Sequence, residues 1–98
     1  MIRVTFFIDR GEESGAYAEQ TFLPMLRELP GLRRLEAATV IATAAGAVRA
    51  KIIIDLLFDD EAQMNLAFAS TEGRRISREI MNTAGAGLEM VTSESLAV

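Results

Sequence analysis

The sequence predicts an α+β fold, a four-stranded antiparallel sheet with its helices on one face, in the order βαββαβ. Three observations predict it. Segments 2–8 and 50–58 alternate with period two and are rich in β-branched and aromatic residues, as strands are. Segments 15–29 and 60–83 carry apolar residues at helical spacing. Leu29-Pro30-Gly31-Leu32-Arg33-Arg34 then divides the first helical stretch from a second strand, because Pro-Gly ends a helix. A chain of 98 residues is one domain, here taken as 1–98.

The first strand, 2–8, puts Ile2, Val4, Phe6 and Ile8 on one face and Arg3, Thr5 and Phe7 on the other. A polar loop follows, in which Ser14 is placed to cap the next helix. The helix over 15–29 aligns Ala18, Phe22, Met25, Leu26 and Leu29 along one stripe. Pro24 falls inside it, cannot donate to Gln20 and should kink it. The second strand is expected over 32–43, and Ala44-Ala45-Gly46-Ala47 turns the chain into the third. In that strand Ile52, Ile54, Leu56 and Phe58 point one way and Ile53, Asp55 and Leu57 the other, the pattern of a central strand covered on both sides. Asp59 should cap the following helix, with Asp60 and Glu61 in its favourable first turn. Ser70-Thr71-Glu72-Gly73 breaks that helix after Ala69, and a second piece runs from about 72 to 83 with Ile76 and Ile80 buried. Ala84-Gly85-Ala86-Gly87 stops it before a last strand, 88–94.

Two right-handed crossovers of this length give strand order 4-1-3-2. The face turned from the helices then carries Thr5, Phe7, Ile53, Leu57, Ala38 and Val40. An open face of this kind is best covered by a second copy laid sheet to sheet with two-fold symmetry, so a homodimer is expected.

Composition narrows the chemistry. Half the residues are hydrophobic, more than one small domain readily hides, and the surplus suits an interface or a ligand cavity. A net charge of −4 argues against nucleic acid, whose phosphates need a basic face. With no Cys and no His, thiolate catalysis, disulfides, Cys-ligated metals and a Ser-His-Asp triad are excluded. No resident metal or cofactor is expected. No apolar run approaches the ~20 residues of a membrane span, and the short run Val4 to Ile8 is no signal peptide, so a cytoplasmic protein is expected.

Three stretches carry a resemblance. Met1-Ile2-Arg3-Val4-Thr5, the run from Pro24 through Met25, Leu26, Arg27, Glu28, Leu29, Pro30, Gly31 and Leu32 to Arg33-Arg34, and Ala69-Ser70-Thr71-Glu72-Gly73 stand in the order and spacing of EthD-like (ethyl tert-butyl ether degradation) proteins. The chain resembles that family over nearly its whole length. The resemblance implies a ferredoxin-like dimeric α+β barrel with a small-molecule pocket in each subunit. It also implies cofactor-independent chemistry such as isomerisation, cyclisation or oxygenation. Such chains commonly carry a His two residues before the helix proline, where this chain has Phe22.

Asp55 is the most notable ionisable residue, mid-strand between Ile53 and Leu57, with Arg3 as its natural partner on the neighbouring strand. Two roles are open: a general acid/base or substrate-orienting pair, and an ion pair that fixes dimer register. Glu36 and Glu89 could share that face. Tyr17, the sole tyrosine, could donate its hydroxyl into a pocket or rim the core. Phe22, Met25, Phe6, Met64 and Phe68 could line an apolar cavity or fill the core. Arg74, Arg75 and Arg78 could hold an anion or form a solvated face, with Arg75 and Glu79 at i, i+4 spacing. Asp55, Arg3 and Tyr17 are thus the expected catalytic groups of a protein that binds an apolar or aromatic metabolite. The alternative is a non-catalytic dimeric accessory protein of a degradation or biosynthetic pathway.

Overall fold

The structure is a computed structural model that describes residues 1–41, 44, 50–83 and 87–96. Its sheet contains β1 (Ile2–Ile8), β2 (Arg34–Thr39), β3 (Ile52–Phe58) and β4 (Leu88–Glu94), in the order β2-β3-β1-β4 and antiparallel throughout. This is the order read from the sequence. The turn expected at Ala45-Gly46-Ala47, the strand end at 42–43 and the helix stop at 84–86 lie outside the described residues.

Alternation decides which side each strand buries. Ile2, Val4, Phe6 and Ile8 of β1 and Ile52, Ile54, Leu56 and Phe58 of β3 face the helices and are buried. They form the core with Phe22, Leu26, Leu29, Ala67, Ile76 and Leu88. Burying each such aliphatic or aromatic side chain is worth about 1.5–3 kcal/mol.

Helix α1 spans 14–26 in three consecutive pieces, Ser14–Tyr17, Ala18–Phe22 and Leu23–Leu26, after a 3-10 turn at Gly11–Glu13. The middle piece is a wide π turn in which the Leu23 amide donates to the Ala18 carbonyl. Pro24 accounts for it. The proline has no amide for the Gln20 carbonyl and its ring crowds that oxygen, so the ladder widens just upstream. The expected disturbance at Pro24 therefore takes the form of a π turn, and the helix continues through it. Ser14 does not cap α1 at its own amides. Its hydroxyl, buried, donates to the Gly11 carbonyl and accepts from the Arg10 amide, which fixes the loop behind β1.

Helix α2 (Glu61–Ala69) starts one residue later than expected. Asp60 is its N-cap and accepts from the Gln63 amide at 2.8 Å, while Asp59 pairs with Arg33 at 3.2 Å. Helix α3 (Thr71–Thr83) begins at the expected break, where the Ser70 hydroxyl accepts from the Gly73 amide at 3.0 Å. Gly73 lets the two helices meet. A Cβ there would lie 2.2 Å from the Ala67 carbonyl oxygen and 2.4 Å from Phe68 Cα. Arg75 leaves its expected i+4 partner and pairs with Glu28 at 3.6 Å, tying α3 to the end of α1.

Candidate functional site

Both sides of the sheet carry features of interest. On the helix side a cleft of about 360 Å3 opens between β1/β4 and α2/α3. Its floor holds Val4, Met90 and Thr92, and its walls hold Met64, Asn65 and Phe68 of α2 with Ser77 and Ile80 of α3. Val4 and Thr92 are direct partners across the β1–β4 ladder, so the floor is built by register. Its edge position leaves β4 little covered: Met90 is 46% exposed although it points to the helix layer. No acidic or basic side chain lines this cleft. It can bind and orient a molecule, but its own walls offer no group for proton transfer.

A second, smaller groove of about 190 Å3 lies between α1 and the β2/β3 ends, lined by Gly15, Ala18, Glu19, Leu23, Ala37, Ala38, Thr39 and Ile52. It borders the π turn.

On the far side of the sheet, the cross-strand register brings polar residues into rows. Glu36, Asp55 and Thr5 stand side by side across β2, β3 and β1, with Arg34, Leu57 and Arg3 in the next row. Thr5 Oγ1 donates to Asp55 Oδ1 at 2.6 Å, and Arg3 Nη1 donates to Asp55 Oδ2 at 3.3 Å. Both carboxylate oxygens are therefore engaged. The Asp55 side chain is only 18% exposed although no second layer among the described residues covers this face. Arg34 Nε pairs with Glu36 at 2.6 Å along β2. Phe7, Ile53 and Leu57, with Ala38 and Val91, supply the apolar part of the same face. Glu89 also falls on it, opposite Phe7. The face is thus a mixed surface, an apolar field crossed by two acid–arginine pairs.

Tyr17 stands on the other side of the sheet from Asp55 and Arg3. Its hydroxyl donates to Glu79 Oε1 at 2.8 Å, joining α1 to α3. Its ring stacks on Phe22 at 5.9 Å, and the Arg10 guanidinium carbon lies 4.3 Å from its centroid. Arg10 Nη1 is buried with no hydrogen-bond partner among the described residues, so attraction to the ring face is its main compensation there. Burial, then the Glu79 hydrogen bond and charge, push the Tyr17 phenol up to about 12.

The structure therefore joins Asp55 with Arg3 and separates Tyr17 from them. Of the five expected pocket residues, Met64 and Phe68 line the cleft. Phe6 and Phe22 are fully buried and meet edge to face at 4.8 Å, and Met25 is half-buried against the same core. Phe22, where the EthD resemblance would place a His, is packing. The sequence reading missed Val4, Asn65, Ser77, Ile80, Met90 and Thr92 as lining residues. A signal was present: Thr92 and Ser77 are polar residues on the inward faces of their elements, beside Met90 and Ile80. Among the described residues, no group of three or more His, Cys, Asp or Glu gathers where a metal could be held, and no helix is long and apolar enough to cross a membrane.

No family model matches the chain. An uncharacterised 11.0 kDa protein from the thcB-thcC intergenic region of Rhodococcus erythropolis is 25% identical over 97 residues, covering 96% of this chain and 94% of that one. An ethyl tert-butyl ether degradation (EthD) family protein from Bacillus halodurans superposes with TM-score 0.81 at 21% identity, covering 98% of this chain and 99% of the other. The chain has the EthD fold. A dimeric ferredoxin-like protein of unknown function from Jannaschia sp. matches with TM-score 0.70 at 17% identity over 96% and 98% of the two chains. The EthD resemblance read from the sequence and the structural likeness thus agree on the fold.

Proposed function

We propose that this chain acts as a sheet-to-sheet homodimer that binds a small, largely apolar organic molecule in the cleft between β1/β4 and α2/α3. One observation carries the reading: a cleft of about 360 Å3 walled by Val4, Met64, Phe68, Ile80 and Met90, with no titratable side chain in its lining. That volume sits at the small end of ligand pockets, roughly 300–1,000 Å3. The half-exposed Met90 leaves apolar surface that a ligand would cover. The EthD protein of the same fold and the dimeric Jannaschia protein support a small-molecule site and a paired assembly.

A second reading places cofactor-free isomerisation, cyclisation or oxygenation on the other face, at Asp55. Its support is the Thr5–Asp55–Arg3 cluster, which a second sheet would enclose. The accessory, non-catalytic reading draws support from Phe22, which is wholly committed to the core.

Nile red fluorescence tests the cleft. Wild type should enhance it saturably with one site per chain. Ile80→Trp and Met90→Trp, which fill the cleft from α3 and from β4, should each abolish the enhancement while far-ultraviolet circular dichroism stays native. Saturable enhancement that persists in both folded variants would reject the cleft as the site.

A further inference from the structure

Five hydroxyl groups of this protein are occupied by the protein itself. Thr5 donates to Asp55, Ser14 to Gly11, Tyr17 to Glu79, Ser70 to Ala67 and Thr83 to Glu79. A helical Ser or Thr ordinarily turns its hydroxyl back onto the preceding turn, as Thr83 does within α3. Ser77 sits in the same helix and does not. Ser77, Thr92 and Asn65 have no side-chain hydrogen-bond partner among the described residues, and all three line the cleft. They come from three different elements, α3, β4 and α2, so one cleft gathers them by tertiary structure.

Resting on the cleft as the binding site, we infer that Asn65, Ser77 and Thr92 select an uncharged ligand: an apolar, ring-sized body bearing a hydroxyl or carbonyl group. The two hydroxyls and the amide each offer both a donor and an acceptor, which suits an alcohol, a phenol or a ketone equally well. The five apolar walls take the hydrocarbon body. Anions are excluded by what is missing from the lining. No Lys or Arg contributes to it, and a carboxylate drawn against Met64, Phe68 and Ile80 would lose hydration with no counter-charge. Arg74 and Arg78 lie on the exposed side of α3 and do not join the lining. Glu94, next but one to Thr92 on the same side of β4, adds negative potential at that end. Polar groups that meet their partner only in the complex discriminate sharply, since the wrong ligand leaves them unpaired.

Equilibrium dialysis of the whole protein at pH 7 against three probes of one shape tests this: 2-naphthol, naphthalene and naphthalene-2-carboxylate. The naphthol should bind tightest, naphthalene about five- to tenfold more weakly, and the carboxylate about thirtyfold or more. The triple variant Asn65→Leu/Ser77→Ala/Thr92→Val keeps cleft volume nearly constant. It should bring naphthol down to the naphthalene level and leave naphthalene unmoved, which a merely structural role for these polar groups would not do. Carboxylate binding as tight as naphthol, or a naphthol preference that survives in the triple variant, would overturn the selectivity and leave the cleft standing. Failure of all three probes to bind wild type at millimolar concentration would overturn the cleft reading beneath it.

Discussion

Tyr17 shows how one side chain reports on its surroundings. It is the only tyrosine, and there is no tryptophan, so its ionisation is read without interference. Burial and Glu79 hold its phenol at about 12 against an ordinary 10.0. Because the folded value is the higher one, the neutral phenol's contribution to stability is intact below pH 10. It is lost as pH rises towards 12, where the unfolded chain has already released the proton. Absorbance titration near 295 nm should therefore give a midpoint about two units above that of the urea-unfolded protein. Glu79→Gln should lower it only part of the way, since desolvation is the larger cause. A wild-type midpoint at the unfolded value would mean that Tyr17 is not held between α1 and α3. Phe22 is instructive in another way. Its sequence position says only that a His the EthD resemblance would place there is absent; that its ring closes the core against Phe6 depends on a contact between α1 and β1 that periodicity cannot display.

Strand alternation was legible because each central strand repeats its apolar side chains without interruption, and β4 was found at its observed bounds. Helix starts were harder to read. Asp59 and Asp60 are both good caps, and only the Asp60–Gln63 hydrogen bond chooses between them. The π turn was not legible, because a proline announces a disturbance and leaves open which neighbouring turn absorbs it. Most of the cleft's lining escaped the reading for a related reason. Its lining comes from four elements, and its depth depends on how closely α2 approaches α3. Gly73 sets that approach, and the sequence shows it only as part of a break. Replacing a helix glycine by alanine normally gains about 1 kcal/mol. Gly73→Ala should lose about 1–2 kcal/mol net, because its Cβ meets rigid backbone of Ala67 and Phe68. Gly15→Ala is the control in α1, where nothing lies within 4 Å, and should be neutral or stabilising. Urea denaturation of both variants measures the contrast; equal effects would mean the α2–α3 crossing does not require the glycine.

At the scale of the molecule, the described residues put a helix layer on one side of the sheet and none on the other. Phe7, Ile53, Leu57 and Val91 share that open side with the Asp55–Arg3 and Glu36–Arg34 pairs. The Asp55–Arg3 and Glu36–Arg34 pairs are each neutral, so they bring no net repulsion between two copies and would fix their register, while Glu89 adds one further acid on the β4 side. The sequence foresaw Phe7, Ile53, Leu57 and the Asp55–Arg3 pair, did not name Val91 or the Glu36–Arg34 pair, and overestimated how greasy the face is. The arginines flank Leu57 on both sides, which keeps that leucine 8% exposed while it lies on the open side. The central claim is that this face meets its like. Light scattering coupled to size exclusion measures it directly: wild type at micromolar concentration should elute with about twice the chain mass of 10.7 kDa, and Ile53→Lys, which places an unpaired charge mid-face, should elute with the mass of one folded chain. A wild-type protein that stays at the single-chain mass across the accessible concentration range would contradict the account.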